Sequence, residues 1–325
     1  MRRTVGPTID MVQPLHLGMT PWSLRDTHTA QILGRQAQLG ESWGYRSFWL
    51  PEHHFTQGSA IPDPLMLLAS VAALTTEIRL GTTSYLLPLR QPLLAAEQVA
   101  VLDQLSGGRL TLGIGRGYAP QLFDTFGVER SRKRLLLKNC LDVMKQAWSG
   151  KFIGETDSKT SIAPLPCQEP HPPIWVAAFG PLALKQAGSL GCPYLASPME
   201  TIERLRSNLK IHVEACREAG LEVPEEVPIM RTVYCSEDTK QVAKVRSRLE
   251  SESANVVRGA DGLQKETAID DWSIVGEPDY VRDLVDRYQE ELGVTHLVVT
   301  RLRIGGLPSA DLEKSVALTA ETLGS

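Results

Sequence analysis

From Leu15 onward the chain repeats one rhythm, a short apolar run and then a longer segment whose apolar positions recur every three or four residues. The first kind of segment predicts strands and the second amphipathic helices. Apolar runs at 15–20, 46–50, 78–87, 110–114, 174–178, 194–196, 229–234 and 296–300 give eight strands, each followed by helical spacing. The run ending at Leu50 is apolar rather than alternating and is halted by Pro51, so it reads as a strand buried on both faces, which belongs to a parallel sheet wrapped by helices. Eight strand-helix pairs predict an α/β fold, a single closed (β/α)8 TIM barrel rather than an open doubly wound sheet.

Local signals set the element boundaries. Asp26 or Thr27 can cap a helix over 28–43, and Asp63 before Pro64 starts a helix in the favoured way. A helix over 91–105 stops at Ser106-Gly107-Gly108, and another spans 131–148. Two stretches break the rhythm: 151–173, with proline at 164, 166, 170, 172 and 173, and the polar stretch 251–273. Both are expected as rim insertions in a one-domain chain over 1–325, the second a loop or lid, or a surface excursion without function.

Composition narrows the partners. A formal net charge of -4 and a pI near 6.0 leave no global basic field for nucleic acid or an anionic membrane surface, which favours a small-molecule partner. The five cysteines are odd in number and form no CxxC pair, which argues against a disulfide framework or zinc knuckle. No apolar stretch approaches the ~20 residues of a membrane span, and no apolar core follows the charged start Met1-Arg2-Arg3, so a cytoplasmic protein is expected.

The richest chemistry lies in Phe48-Trp49-Leu50-Pro51-Glu52-His53-His54-Phe55, where an apolar strand ends in two imidazoles beside a carboxylate. Histidine is the side chain most easily poised to move protons near neutral pH, so His53 and His54 are acid/base candidates. The bland alternative is one structural histidine and an exposed neighbour. A metal site is not expected, because His16 stands alone in the first strand and adjacent histidines cannot easily face one ion. Further on, Gly113-Ile114-Gly115-Arg116-Gly117-Tyr118 fails GxGxxG, since Tyr118 fills the third glycine position. Its glycines still permit close approach to backbone, and Arg116 offers a forked donor for a phosphate.

The Trp49-to-Phe55 run, the segment 79–92, the segment 102–118 and Phe126-Gly127, taken in that order, resemble the bacterial luciferase-like family of flavin-dependent monooxygenases. The resemblance covers residues 15 to about 196 well, and 275–300 resembles the family's closing helix and strand. It implies reduced FMN at the C-terminal mouth of the barrel, reacting with O2 through a C4a-hydroperoxide to oxygenate a small organic substrate. It implies that His53 is the acid/base histidine, braced by His54, and that Thr83-Ser84 is a non-proline cis peptide under the isoalloxazine ring. Arg116 and Arg134 match phosphate-binding arginines, with Arg132 and Lys133 close enough to leave the register open. Relatives commonly place a hydroxyl after the fifth strand, where Ala178-Phe179-Gly180 supplies only backbone amides. The resemblance further implies a separate NAD(P)H:flavin reductase and a homodimer. Two alternatives stay open: an F420-dependent oxidoreductase on the same barrel, and a flavin-binding relative without catalysis.

Overall fold

The computed structural model describes residues 14–24, 29–55, 60–151, 161–256, 268–301 and 304–324. The expected caps Asp26 and Thr27 and much of both insertions, 152–160 and 257–267, lie outside the described residues. The strands are β1 (His16–Met19), β2 (Ser47–Leu50), β3 (Arg79–Thr82), β4 (Tyr85–Leu86), β5 (Leu110–Gly115), β6 (Ile174–Ala178), β7 (Tyr194–Ala196), β8 (Pro228–Cys235), β9 (Ser273–Gly276) and β10 (His296–Thr300). The helices are α1 (Thr29–Ser42), α2 (Pro64–Ala72), α3 (Pro92–Leu105), α4 (Pro120–Thr125), α5 (Lys133–Trp148), α6 (Pro181–Ser189), α7 (Ile202–Glu218), α8 (Thr239–Val256), α9 (Pro278–Leu292) and α10 (Ser309–Leu323).

Parallel pairing runs β10-β1-β2-β3-β5-β6-β7-β8, and β8 pairs again with β10, which closes an eight-stranded barrel. The expected (β/α)8 architecture is therefore borne out. Its interior is packed: Trp49 stacks on Trp175 at 4.7 Å, with Leu195 and Val298 beside them. Gly81 makes the room, since a Cβ there would lie 2.1 Å from the Trp49 ring. With the interior filled, chemistry is confined to the mouth, where the βα connections emerge. The outward residues Phe48, Leu50, Leu80 and Val233 join the core between barrel and helices.

Helix starts follow local chemistry. The Asp63 carboxylate accepts from Met66 N–H ahead of Pro64, and the side-chain oxygens of Gln91 and Thr201 likewise cap α3 and α7.

Three expectations are corrected. The run 78–87 is not one strand: β3 ends at Thr82, the Thr83-Ser84 peptide is cis, and β4 then pairs with the end of β5. The glycines of β5 allow this path, because a Cβ on Gly113 would stand 1.8 Å from the Thr82 carbonyl oxygen and one on Gly115 would stand 2.0 Å from Ser84 Oγ. The stretch 251–273 is not irregular throughout, since α8 runs on through Val256 and Ser273 starts β9, which extends the sheet along the outer end of β8. The helix expected from 131 begins at Lys133, after a 3-10 turn at Arg130–Arg132.

Candidate active site

Glu52 organises the exit of β2. Its side chain is fully buried, and a carboxylate in that position needs compensation. One oxygen accepts the Leu86 N–H at 2.9 Å, and the other faces Arg90 Nη2 at 2.6 Å and His54 Nε2 at 2.7 Å. The end of β2 is thereby tied to β4 and to the turn that follows it. Arg90 also lies over the Tyr85 ring, 4.4 Å from its centroid, and the Tyr85 hydroxyl reaches Gln98 Oε1 at 3.2 Å. Burial pushes the Tyr85 phenol up, so it stays protonated.

The acceptor at His54 Nε2 is a carboxylate, so the neutral ring carries its hydrogen there and leaves Nδ1 as an acceptor. Phe126 meets the His54 ring edge-on at 5.0 Å, and Phe55 closes the group at 5.6 Å from Phe126. Phe55 holds φ +59°, a region that bulky residues rarely enter. His53 is placed differently: its backbone N–H and C=O pair with Ile61 at 2.9 and 3.0 Å, and its side chain stays partly open to solvent. Desolvation of the covered part and the adjacent His54 hold its pKa below the ordinary histidine value, against an opposing pull from Glu52. The shift favours the neutral ring, the form able to accept a proton.

The cis Thr83-Ser84 peptide adjoins this group, with Thr83 N–H donating to the Leu50 carbonyl at 2.8 Å. Thr83 Oγ1 is buried and has no hydrogen-bond partner among the described residues.

At the exit of β5 the chemistry turns cationic. Burial and neighbouring Arg134 lower the pKa of Arg116; burial, Arg116 and Arg130 lower that of Lys133, whose Nζ reaches the Gly117 carbonyl at 3.4 Å. Among the described residues no carboxylate pairs with Arg116, Lys133 or Arg134. Mutual repulsion without a counter-charge is the electrostatic form of an anion site. Next in the barrel, β6 delivers Ala178, Phe179 and Gly180, and Gly180 stands at the N-cap of α6 with no side-chain cap. Its φ of −116° is ordinary, and a Cβ there would meet nothing within 4 Å.

The structure thus gathers His53, His54, Thr83 and Ser84 at the exits of β2 and β3, and Arg116, Arg134 and Ala178 to Gly180 around the exits of β5 and β6. Sequence reasoning assigned no role to Glu52 or Arg90, although both stood in the motif-bearing segments. A carboxylate ending an apolar strand was the available signal. Tyr85 is part of the core, whereas Tyr118, beyond the end of β5, is 82 % exposed.

Residues 17–296 match the family model described as luciferase-like monooxygenase. The oxygenase component of flavin-dependent trigonelline monooxygenase from Acinetobacter baylyi is 30% identical over 218 residues, 63% of this chain and 60% of that one. The chain spans about 60% of the length of the first relatives it matches. Two solved structures share the fold. The oxygenating constituent of 3,6-diketocamphane monooxygenase from Pseudomonas putida, in complex with FMN, has a TM-score of 0.79 at 20% identity, covering 96% and 98% of the two chains. The F420-dependent tetrahydromethanopterin reductase from Methanopyrus kandleri has a TM-score of 0.72 at 22% identity, covering 95% and 98%.

Proposed function

The chain belongs to the luciferase-like monooxygenase family, and from that premise we propose that it is the oxygenase of a two-component system, using reduced FMN and O2 to oxygenate a small organic substrate. The observation that carries the reading is that one mouth of the barrel holds a proton-handling histidine pair after β2 and an unneutralised cationic group after β5, with β3 between them. The residues present fit a flavin phosphate. Among the described residues the cations of Arg116 and Arg134 lack a counter-charge, and α6 has no side-chain cap.

In this reading Arg116, Arg134 and the backbone of Ala178, Phe179 and Gly180 hold the phosphate. Thr83, whose buried Oγ1 lacks a partner among the described residues, and Ser84 would bear on the flavin ring. Reduced FMN supplies two electrons, so that one atom of O2 enters the product and the other leaves as water. His53, kept neutral, takes up a proton at its free ring nitrogen and returns it. His54 holds its hydrogen on Nε2 against Glu52, which fixes the ring beside Phe55 and Phe126. These aromatics help exclude water from the reacting groups.

A separate NAD(P)H:flavin reductase supplies the reduced cofactor, as the name of the A. baylyi relative suggests. The protein works in the cytoplasm as a homodimer. An apolar stripe of Leu94, Val101 and Leu105 on α3, with Met66 on α2, is exposed on the helices that follow β2 and β4 and supports that assembly.

The test supplies FMN, NADH and an independent flavin reductase under 18O2, with long-chain aldehydes, cyclic ketones and trigonelline as candidate substrates. One labelled oxygen in a product, depending on His53, is expected. No label in any product, together with O2-independent oxidation of reduced F420, would move the protein to the F420-dependent alternative.

A further inference from the structure

Arg204 sits in the first turn of α7, where its N–H is capped by the Thr201 hydroxyl at 3.1 Å. A cation in that position meets the positive end of the helix dipole. It needs an anion or an aromatic face, and the structure gives it only the second. The guanidinium carbon lies over the Phe179 ring, 6.0 Å from its centroid, and Nε is buried with no hydrogen-bond partner among the described residues.

Neighbouring groups do not satisfy it. Glu200, at the start of the same connection, is fully buried, and its carboxylate already accepts from the Tyr194 hydroxyl, the Ser197 N–H and Asn208 Nδ2. The next arginine of α7, Arg206, pairs with Glu291. Arg204 has no such ion pair among the described residues.

Its place in the barrel gives this meaning. Strands β5, β6 and β7 are consecutive neighbours. Arg116 follows the first, Phe179-Gly180 the second, and Arg204 stands near the start of the helix after the third. The middle exit carries no side-chain donor of its own and leads straight into the uncapped start of α6. The missing donor is present, but it arrives from the next connection across the Phe179 ring.

We propose that Arg204 is a phosphate-binding residue, its guanidinium carried over Phe179 and donating to the phosphate monoester of the flavin, so that α6 is flanked by Arg116 on one side and Arg204 on the other. A forked guanidinium suits a phosphate better than a single hydroxyl, because it brings charge and two parallel donors. Phe179, which lacks a polar atom, becomes the support for that cation. The proposal rests on the FMN reading above.

The test compares dissociation constants of FMN and riboflavin, measured by flavin fluorescence, for the wild type, Arg204→Met and Arg204→Lys, with thermal melts as a folding control. The wild type should prefer FMN. Arg204→Met should lose about tenfold of that preference through FMN alone, the scale of one hydrogen bond to a charged group. Arg204→Lys, which keeps the charge without the fork, should lie between the two and serves as the reading if the methionine variant does not fold. A wild type indifferent to the phosphate would overturn the FMN reading and this proposal with it. A wild-type preference that survives in both variants would overturn the role of Arg204 and leave the FMN reading standing. Equal weakening of both flavins would show that Arg204 acts through the fold instead.

Discussion

His54 donates to the buried carboxylate of Glu52, whereas His53 is anchored by its backbone to Ile61 and its ring has no hydrogen-bond partner among the described residues. This division predicts that His53→Ala leaves flavin affinity near wild type and lowers turnover by ~10² or more, the scale of a lost acid/base group. Unchanged turnover with reduced flavin supplied would remove His53 from the chemistry. The pH dependence follows from the same environment. Because the pKa of His53 is lowered, the neutral form persists above it and activity should fall as pH drops through that lowered value. The acid limb of the activity profile should therefore lie below the usual histidine range and vanish in the residual activity of His53→Ala. For Arg116 the expected loss on Arg116→Ala is about 1.5 to 3 kcal/mol of FMN affinity with riboflavin binding unchanged, as titration of both flavins would reveal. The two histidines were legible as a pair in the sequence. Their unequal surroundings were not, because Arg90 and Leu86, which fix Glu52 beside His54, and Ile61, which anchors His53, come from other segments of the chain.

The crossing of the β3-to-β4 connection over β5 carries a prediction of its own. Gly113→Ala should destabilise the protein by about 1 to 3 kcal/mol, the usual range for overpacking, because the obstacle is the Thr82 carbonyl rather than a side chain that could swing away. Denaturant midpoints would measure this, and an unchanged midpoint would mean that the connection can retreat. The glycines were visible as a place of close backbone approach. That the approaching backbone belongs partly to the protein itself was not visible, since a local pattern does not show which strand crosses which. For the same reason the run 78–87 read as one strand: its residues are apolar on both sides of Thr83-Ser84, and the break is set by β5. Strand β9 escaped notice because it is four residues long and follows a polar stretch.

Over the whole molecule, alternation of short apolar runs with helical spacing was enough to reach the closed barrel, because every barrel strand is buried on both faces and every crossover returns parallel. The stripe of Leu94, Val101 and Leu105 predicts that Leu94→Glu with Leu105→Glu shifts the protein from dimer to monomer in light scattering without unfolding it, since these side chains are solvent-exposed in the single chain. A mass unaffected by both charges would place the interface elsewhere. The proposed function rests on the mouth accepting a reduced flavin. The most direct measurement is an anaerobic titration of the purified protein with reduced FMN, oxidised FMN and F420, followed by absorbance and fluorescence. One reduced FMN should bind per chain, oxidised FMN more weakly and F420 not at all; saturable binding of F420 with no binding of reduced FMN would contradict the oxygenase assignment.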